Sequence, residues 1–210
     1  MVVGVRCHVQ GLAEGVTGVA CVSSLPDLEN LHLRHFGLTP AVCASHAEAA
    51  RVLLDSHGNP PATVAVGRYE ASTVTEYTLD WRRVTVREQA AWFEITDATE
   101  AAAYSVAISA AEAELELFAV QRVPKGRGAD YWVQATPIIN LRDGLLDLEN
   151  AIRFEVTGIE VDRGATYFLR RLSKKVDQIK AGGTDGGWAV AVSFPTHQVS
   201  FRYVAPSPAP

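Results

Sequence analysis

Residues 44–69, ASHAEAARVLLDSHGNPPATVAVGRY, decide the fold, because every local signal in them points to one structure. Ser45 and Glu48 stand three apart as in a capping box, where hydroxyl and carboxylate each satisfy a free backbone N–H at a helix start. A helix is expected to begin there. Ala49, Ala50, Val52, Leu53 and Leu54 supply its apolar stripe, His57 and Gly58 close it, and Asn59-Pro60-Pro61 prevents its continuation. Thr63, Val64, Ala65 and Val66 are short, β-branched and apolar, which reads as a buried strand ended by Gly67 and Arg68.

Working outward, residues 73–81 alternate so that Tyr77, Leu79 and Trp81 share one face of a half-exposed strand. Residues 84–86 and 92–95 read as further pieces of sheet. Residues 97–108 carry two patterns, a capping box at Asp97 and Glu100 and a strand-like alternation of Tyr104, Val106 and Ile108, and periodicity does not choose between them. Residues 113–123 read as a strand, with Ala113, Leu115, Leu117 and Ala119 opposite Glu112, Glu114 and Glu116. After a loop at 124–128, residues 131–136 return as a strand. Asn140 is placed to cap a helix built on Leu141, Leu145, Leu148 and Ile152. Strand material follows around Gly158. Residues 166–180 form an amphipathic helix, with Phe168, Leu172, Val176 and Ile179 on one side and Arg170, Arg171, Lys174 and Lys175 on the others. Trp188, Val190, Val192 and Phe194 alternate in one strand and Val199, Phe201 and Tyr203 in the next, with residues 195–197 short enough to join them as a hairpin. Upstream, residues 3–9 and 16–22 read as strands and residues 27–36 as a short helix burying Leu28, Leu31 and Phe36.

These elements predict an α+β chain with mixed or antiparallel sheets, about three helices and strand-rich ends. Residues 124–130 are the least structured boundary. They divide an N-terminal α/β lobe (1–123) from a C-terminal α+β lobe (131–204), with a proline-rich tail at 205–210, unless the whole is one domain.

With 210 residues, 48% of them hydrophobic and 20% charged, the chain can bury a substantial core. A net charge of −5 argues against nucleic acid or an anionic membrane as the main partner. No apolar run is long enough to span a bilayer, and the first residues lack the basic start and apolar block of a signal peptide, so the chain is expected to remain in the cytoplasm where it is made. Cys7, Cys21 and Cys43 are an odd number, read as reduced thiols.

Catalytic motifs are sparse. There is no Gly-x-Ser-x-Gly, His-Glu-x-x-His or Cys-x-x-Cys, and Pro124-Lys125-Gly126-Arg127-Gly128 lacks the order of a phosphate loop. Glu112, Glu114 and Glu116 read as a solvated strand face, and the basic side of 166–180 lacks the interleaved aromatics that stack on bases. His32, His35, Cys43 and His46 have the paired spacing from which zinc sites are often built. Capping and packing account for the same residues, so no zinc, no other cofactor and no catalytic group are predicted.

The small-residue helix from Ser45, the proline turn at Pro60 and Pro61, and the Val64-Ala65-Val66-Gly67-Arg68 strand together resemble a segment of contractile phage tail sheath proteins. That resemblance covers about a fifth of the chain, and family members are much longer, so a tube, neck or terminator component is implied as readily as a sheath subunit. It implies a self-assembling, non-enzymatic structural protein of a virion or virion-like particle, whose partners are copies of itself and other particle proteins. Val199, Phe201 and Tyr203 are the expected oligomer contacts, on a terminal strand that pairs with a neighbour. The alternatives are a zinc-stabilised interaction module and a small-ligand-binding or enzymatic domain.

Overall fold

The computed structural model describes residues 23–124, 128–136, 141–142, 145–146, 148–183 and 185–206. The strands expected at 3–9 and 16–22 lie outside these residues, as do Cys7, Cys21 and residues 125–127 of the basic loop. The α+β class holds. Eight strands form one mixed sheet in the order β1 (Ser23–Ser24), β3 (Thr73–Leu79), β2 (Ala62–Arg68), β10 (Gln198–Val204), β9 (Gly187–Ser193), β8 (Ile152–Ile159), β5 (Tyr131–Gln134), β4 (Phe118–Arg122). Three long helices, α1 (Pro40–His57), α3 (Ile95–Leu115) and α4 (Ala165–Ala181), are joined by a short α2 (Val86–Ala91) and a 3-10 turn at Leu28–Leu33. Among the described residues, no helix is long and apolar enough to cross a membrane.

The opening stretch folds as a helix, a turn and a strand, with one correction: the cap of α1 is Thr39, six residues before Ser45. The Thr39 hydroxyl accepts from Val42 N at 3.3 Å, and Pro40 occupies the first turn, where a missing N–H costs nothing. Glu48 instead accepts from Trp92 Nε1 at 3.0 Å, tying α1 to the segment after α2. Leu53 and Leu54 are buried beneath α1, and Gly58 caps it. Arg68, at the end of β2, donates through Nε to Glu114 Oε1 at 3.0 Å and through Nη2 to the Glu114 carbonyl oxygen. A cation thus sits on the last turn of α3, where the helix dipole is negative.

Side chains of α1 and α3 cover one face of the sheet, packing on Val64, Val66, Tyr77, Leu79, Phe154, Val190, Val199 and Phe201. On the opposite face α4 places Leu172, Val176 and Ile179 over Ala189, Ala191 and Val204. The alternation along β9 and β10 supplies both cores, because successive side chains point to opposite faces. β8, α4 and β9 form a parallel β–α–β unit, and β9 returns antiparallel into β10.

β10 then pairs in parallel with β2, so strands from both sides of residues 124–130 interleave in one sheet over one continuous core. The two expected lobes are therefore not separate units among the described residues; residues 124–130 are the connection of the β4–β5 hairpin. Val199 and Phe201 are likewise corrected. Both are wholly buried within the chain's own sheet, which leaves only Tyr203, 42% exposed, available to a neighbour.

Other departures have local causes. Residues 84–86 and 92–95 are not strands: Thr85 and Glu88 make a capping box that starts α2. Residues 97–115 belong to α3, capped by Glu94 through Thr96 N at 3.1 Å, so Glu112 and Glu114 end a helix rather than line a strand. Ala-Glu-Ala-Glu-Leu satisfies either period over so few residues, and the ten-residue alanine-rich stretch before it settles the matter in favour of helix. Where a helix was expected from Asn140, the described residues are two short antiparallel strands, β6 (Leu141–Arg142) and β7 (Leu145–Leu146), and Ile152 begins β8. Phe36 is exposed, because the turn that buries Leu28 and Leu31 ends before it.

Gly158, one residue before the end of β8, is required by α3. A Cβ there would lie 2.6 Å from the Thr99 carbonyl oxygen and 3.1 Å from Ala103 Cβ. The glycine lets helix and strand approach closely enough to build the cleft described next.

Candidate functional site

β5 pairs with β8 only along Tyr131, Trp132 and Val133, opposite Phe154, Arg153 and Ile152. Beyond that point the Asp130 side chain takes the place of a strand, its Oδ2 accepting from Val156 N at 2.8 Å. The edge of β8 past Val156 therefore opens into a notch between the two helical layers. A cleft of about 330 Å³ fills it, with Glu100 and Tyr104 from α3, Asp130, Thr157 and Gly158 from the sheet, and Arg171 from α4 among its walls.

Tyr104 stands at its centre. Its hydroxyl lies 2.9 Å from Glu100 Oε1, one helical turn earlier, and 2.9 Å from Asp130 Oδ1. Burial and the Asp130 and Glu100 carboxylates push the phenol far above its ordinary value, so it stays protonated. One phenolic proton cannot be donated to two oxygens at once, so the group has more acceptors than donors.

On the α4 side, Lys175 Nζ donates to Glu155 Oε1 at 2.8 Å, while Arg171 Nη2 donates to Thr157 Oγ1 at 2.5 Å and to the Gly158 carbonyl oxygen at 3.4 Å. Arg171 Nε is buried and has no partner among the described residues. Burial and nearby Asp130 raise the Glu155 carboxyl despite the lysine. The helix face read from sequence as solvated is thus divided: Arg171 and Lys175 line the cleft, whereas Arg170 and Lys174 face water.

A shallower recess adjoins, formed by His46, Asp97, Glu100, Tyr104 and Arg122. The His46 ring lies 5.4 Å from that of Tyr104, and the Arg122 guanidinium sits 5.3 Å above the Tyr104 ring. Burial, assisted by Arg122, lowers His46 to about 4. A depressed histidine binds its proton in the unfolded chain first, so the folded state should lose stability as pH falls from about 6.5 towards 4. The full loss should be on the order of 3 kcal/mol, about 2 kcal/mol of it between pH 7 and pH 5. Denaturant midpoints at pH 7 and pH 5 measure that part, and His46→Phe should reduce the difference, with His57 and His197, also lowered by burial, supplying the remainder; an unchanged pH dependence in that variant contradicts the assignment.

The four zinc candidates do not converge. His35 Nδ1 accepts from Ala119 N at 2.9 Å, which places the ring proton on Nε2, donated to Glu112 Oε2 at 2.8 Å. Burial opposes ionisation of Glu112, but His35 and Arg34 outweigh it and lower its carboxyl. Cys43 Sγ donates to the Leu28 carbonyl oxygen at 3.2 Å, and burial raises its thiol. His46 belongs to the recess beside Tyr104, and His32 keeps a buried Nδ1 with no partner among the described residues. Among the described residues, no group of three or more His, Cys, Asp or Glu is placed to hold a metal ion.

None of the cleft residues was singled out in the sequence as a site, because four separate segments contribute them. The usable signal was Glu100 and Tyr104 at a spacing of four, which share a face only if residues 97–108 are helical. No family model matches the sequence, and neither a curated protein nor a solved structure matches the chain.

Proposed function

We propose that the chain is a non-enzymatic structural subunit of a phage tail-like particle, a sheath-like, tube, neck or terminator component that associates with copies of itself and with other particle proteins. The observation that carries this reading is the set of large apolar side chains left in water around α2 and the start of α3. Phe93 is 90% exposed, Val86 82%, and Ile95 is also exposed, all within ten residues. Such groups are costly in a monomer and are typical of surfaces that another protein covers. The sheath-like residues give it further support, since Ser45 to Arg68 fall on consecutive parts of a single helix–turn–strand unit at the heart of the fold.

Strand addition at the β4 edge is blocked, since Gly37 N donates to the Ala119 carbonyl oxygen at 3.0 Å. Light scattering across a hundredfold concentration range should show mass rising above that of one chain. Phe93→Ser should shift the association to at least about tenfold higher concentration, equivalent to roughly 1.4 kcal/mol. A single-chain mass throughout, with natural partner proteins present, contradicts the proposal.

A further inference from the structure

We infer that the cleft at the end of β5 binds a small zwitterion of amino-acid size, its ammonium against Glu100 and Asp130 and its carboxylate against Arg171. The inference does not rest on the assembly proposal. Two observations meet in the cleft, and a third lies in the recess beside it. At the α3 side, two carboxylates share a single phenolic proton, so a ligand ammonium supplies the donors they lack. At the α4 side, Arg171 Nη2 is anchored on Thr157 and on the Gly158 carbonyl oxygen, so the guanidinium is fixed in the cleft wall with no carboxylate paired to it among the described residues. In the adjoining recess, His46 is more than nine-tenths buried, and its Nδ1 has no partner among the described residues.

Opposite charges on facing walls select a molecule carrying both signs. Lys175 is already neutralised by Glu155, and Arg122 lies over the Tyr104 ring in the neighbouring recess, which leaves Arg171 as the cation without a carboxylate partner in the cleft wall, among the described residues. A purely cationic ligand meets Arg171 unfavourably, and a purely anionic one meets Glu100, Asp130 and Glu160. The volume is at the lower end of the range for ligand cavities, which favours a molecule with few heavy atoms. Val156 and Ala103 add apolar wall for a short side chain.

The test is titration of the isotope-labelled full chain, followed by amide NMR, with glycine, L-serine and L-glutamate as probes and methylamine and acetate as half-ligands. Saturable binding of at least one zwitterion below about 10 mM is expected, with shifts centred on Thr157, Gly158 and Glu160. Both half-ligands should bind at least about tenfold more weakly. Glu100→Gln and Arg171→Gln should each weaken binding about tenfold or more. Absence of saturation by all three zwitterions at that concentration overturns the inference, as do half-ligands that bind equally well or shifts that fall elsewhere. The shift map uses the unaltered chain, so the result stands even if a variant fails to fold.

Discussion

A chain ending at residue 198 is expected to lose its cooperative unfolding transition altogether. β10 lies between β9 and β2 and is hydrogen-bonded to both, so its removal leaves two interior strands with unpaired backbone groups. It also removes Val199 and Phe201, wholly buried on the α1/α3 side, and Val204 from beneath α4. Loss of one buried phenylalanine side chain alone costs about 3–5 kcal/mol, and a domain's whole stability is about 5–15 kcal/mol. Circular dichroism and thermal melts of the truncated chain check this. A folded truncated monomer would mean that the strand is exchangeable between subunits after all, with Val199 and Phe201 as oligomer contacts.

Replacement of Glu88 by alanine is expected to cost about 3 kcal/mol, the largest effect for a single polar residue here. Its carboxylate accepts from Arg51 Nη2 at 2.9 Å, from Arg82 Nη1 at 3.1 Å and from Thr85 N at 2.8 Å. The side chain thus caps α2 and ties it to α1. Arg51 is buried, so removal of Glu88 leaves it only Glu29, which is half exposed. Arg82, the Thr85 N–H and Arg51 hold the Glu88 carboxyl well below the usual carboxylate range. For a depressed carboxyl, the stabilisation is present above the unfolded value and is lost as pH falls through the folded one. Denaturant unfolding of Glu88→Ala at neutral pH should therefore show a large deficit that narrows in strong acid. A change below about 0.5 kcal/mol removes the network from the account.

Much of the fold could be read from residue order where a single periodicity applied. The α1–β2 unit, the amphipathic α4 and the β9–β10 hairpin all had a consistent pattern and a clear stop. Sequence failed where two periods fitted the same residues, as in 97–116, or where a short cap outweighed β-branched neighbours, as at Thr85 and Val86. It also failed on partners. His35 looks like a metal ligand until Ala119 and Glu112, distant in sequence, claim both ring nitrogens. The cleft was invisible for the same reason, since Asp130 acquires its role only by replacing a strand beside β8.

The assembly proposal is tested most directly by negative-stain electron microscopy of the purified chain at high concentration. The account predicts regular rings, tubes or sheets whose repeat fits one chain of 210 residues, and their loss in Phe93→Ser. Fields of dispersed single particles under every condition, including with natural partner proteins present, would contradict it.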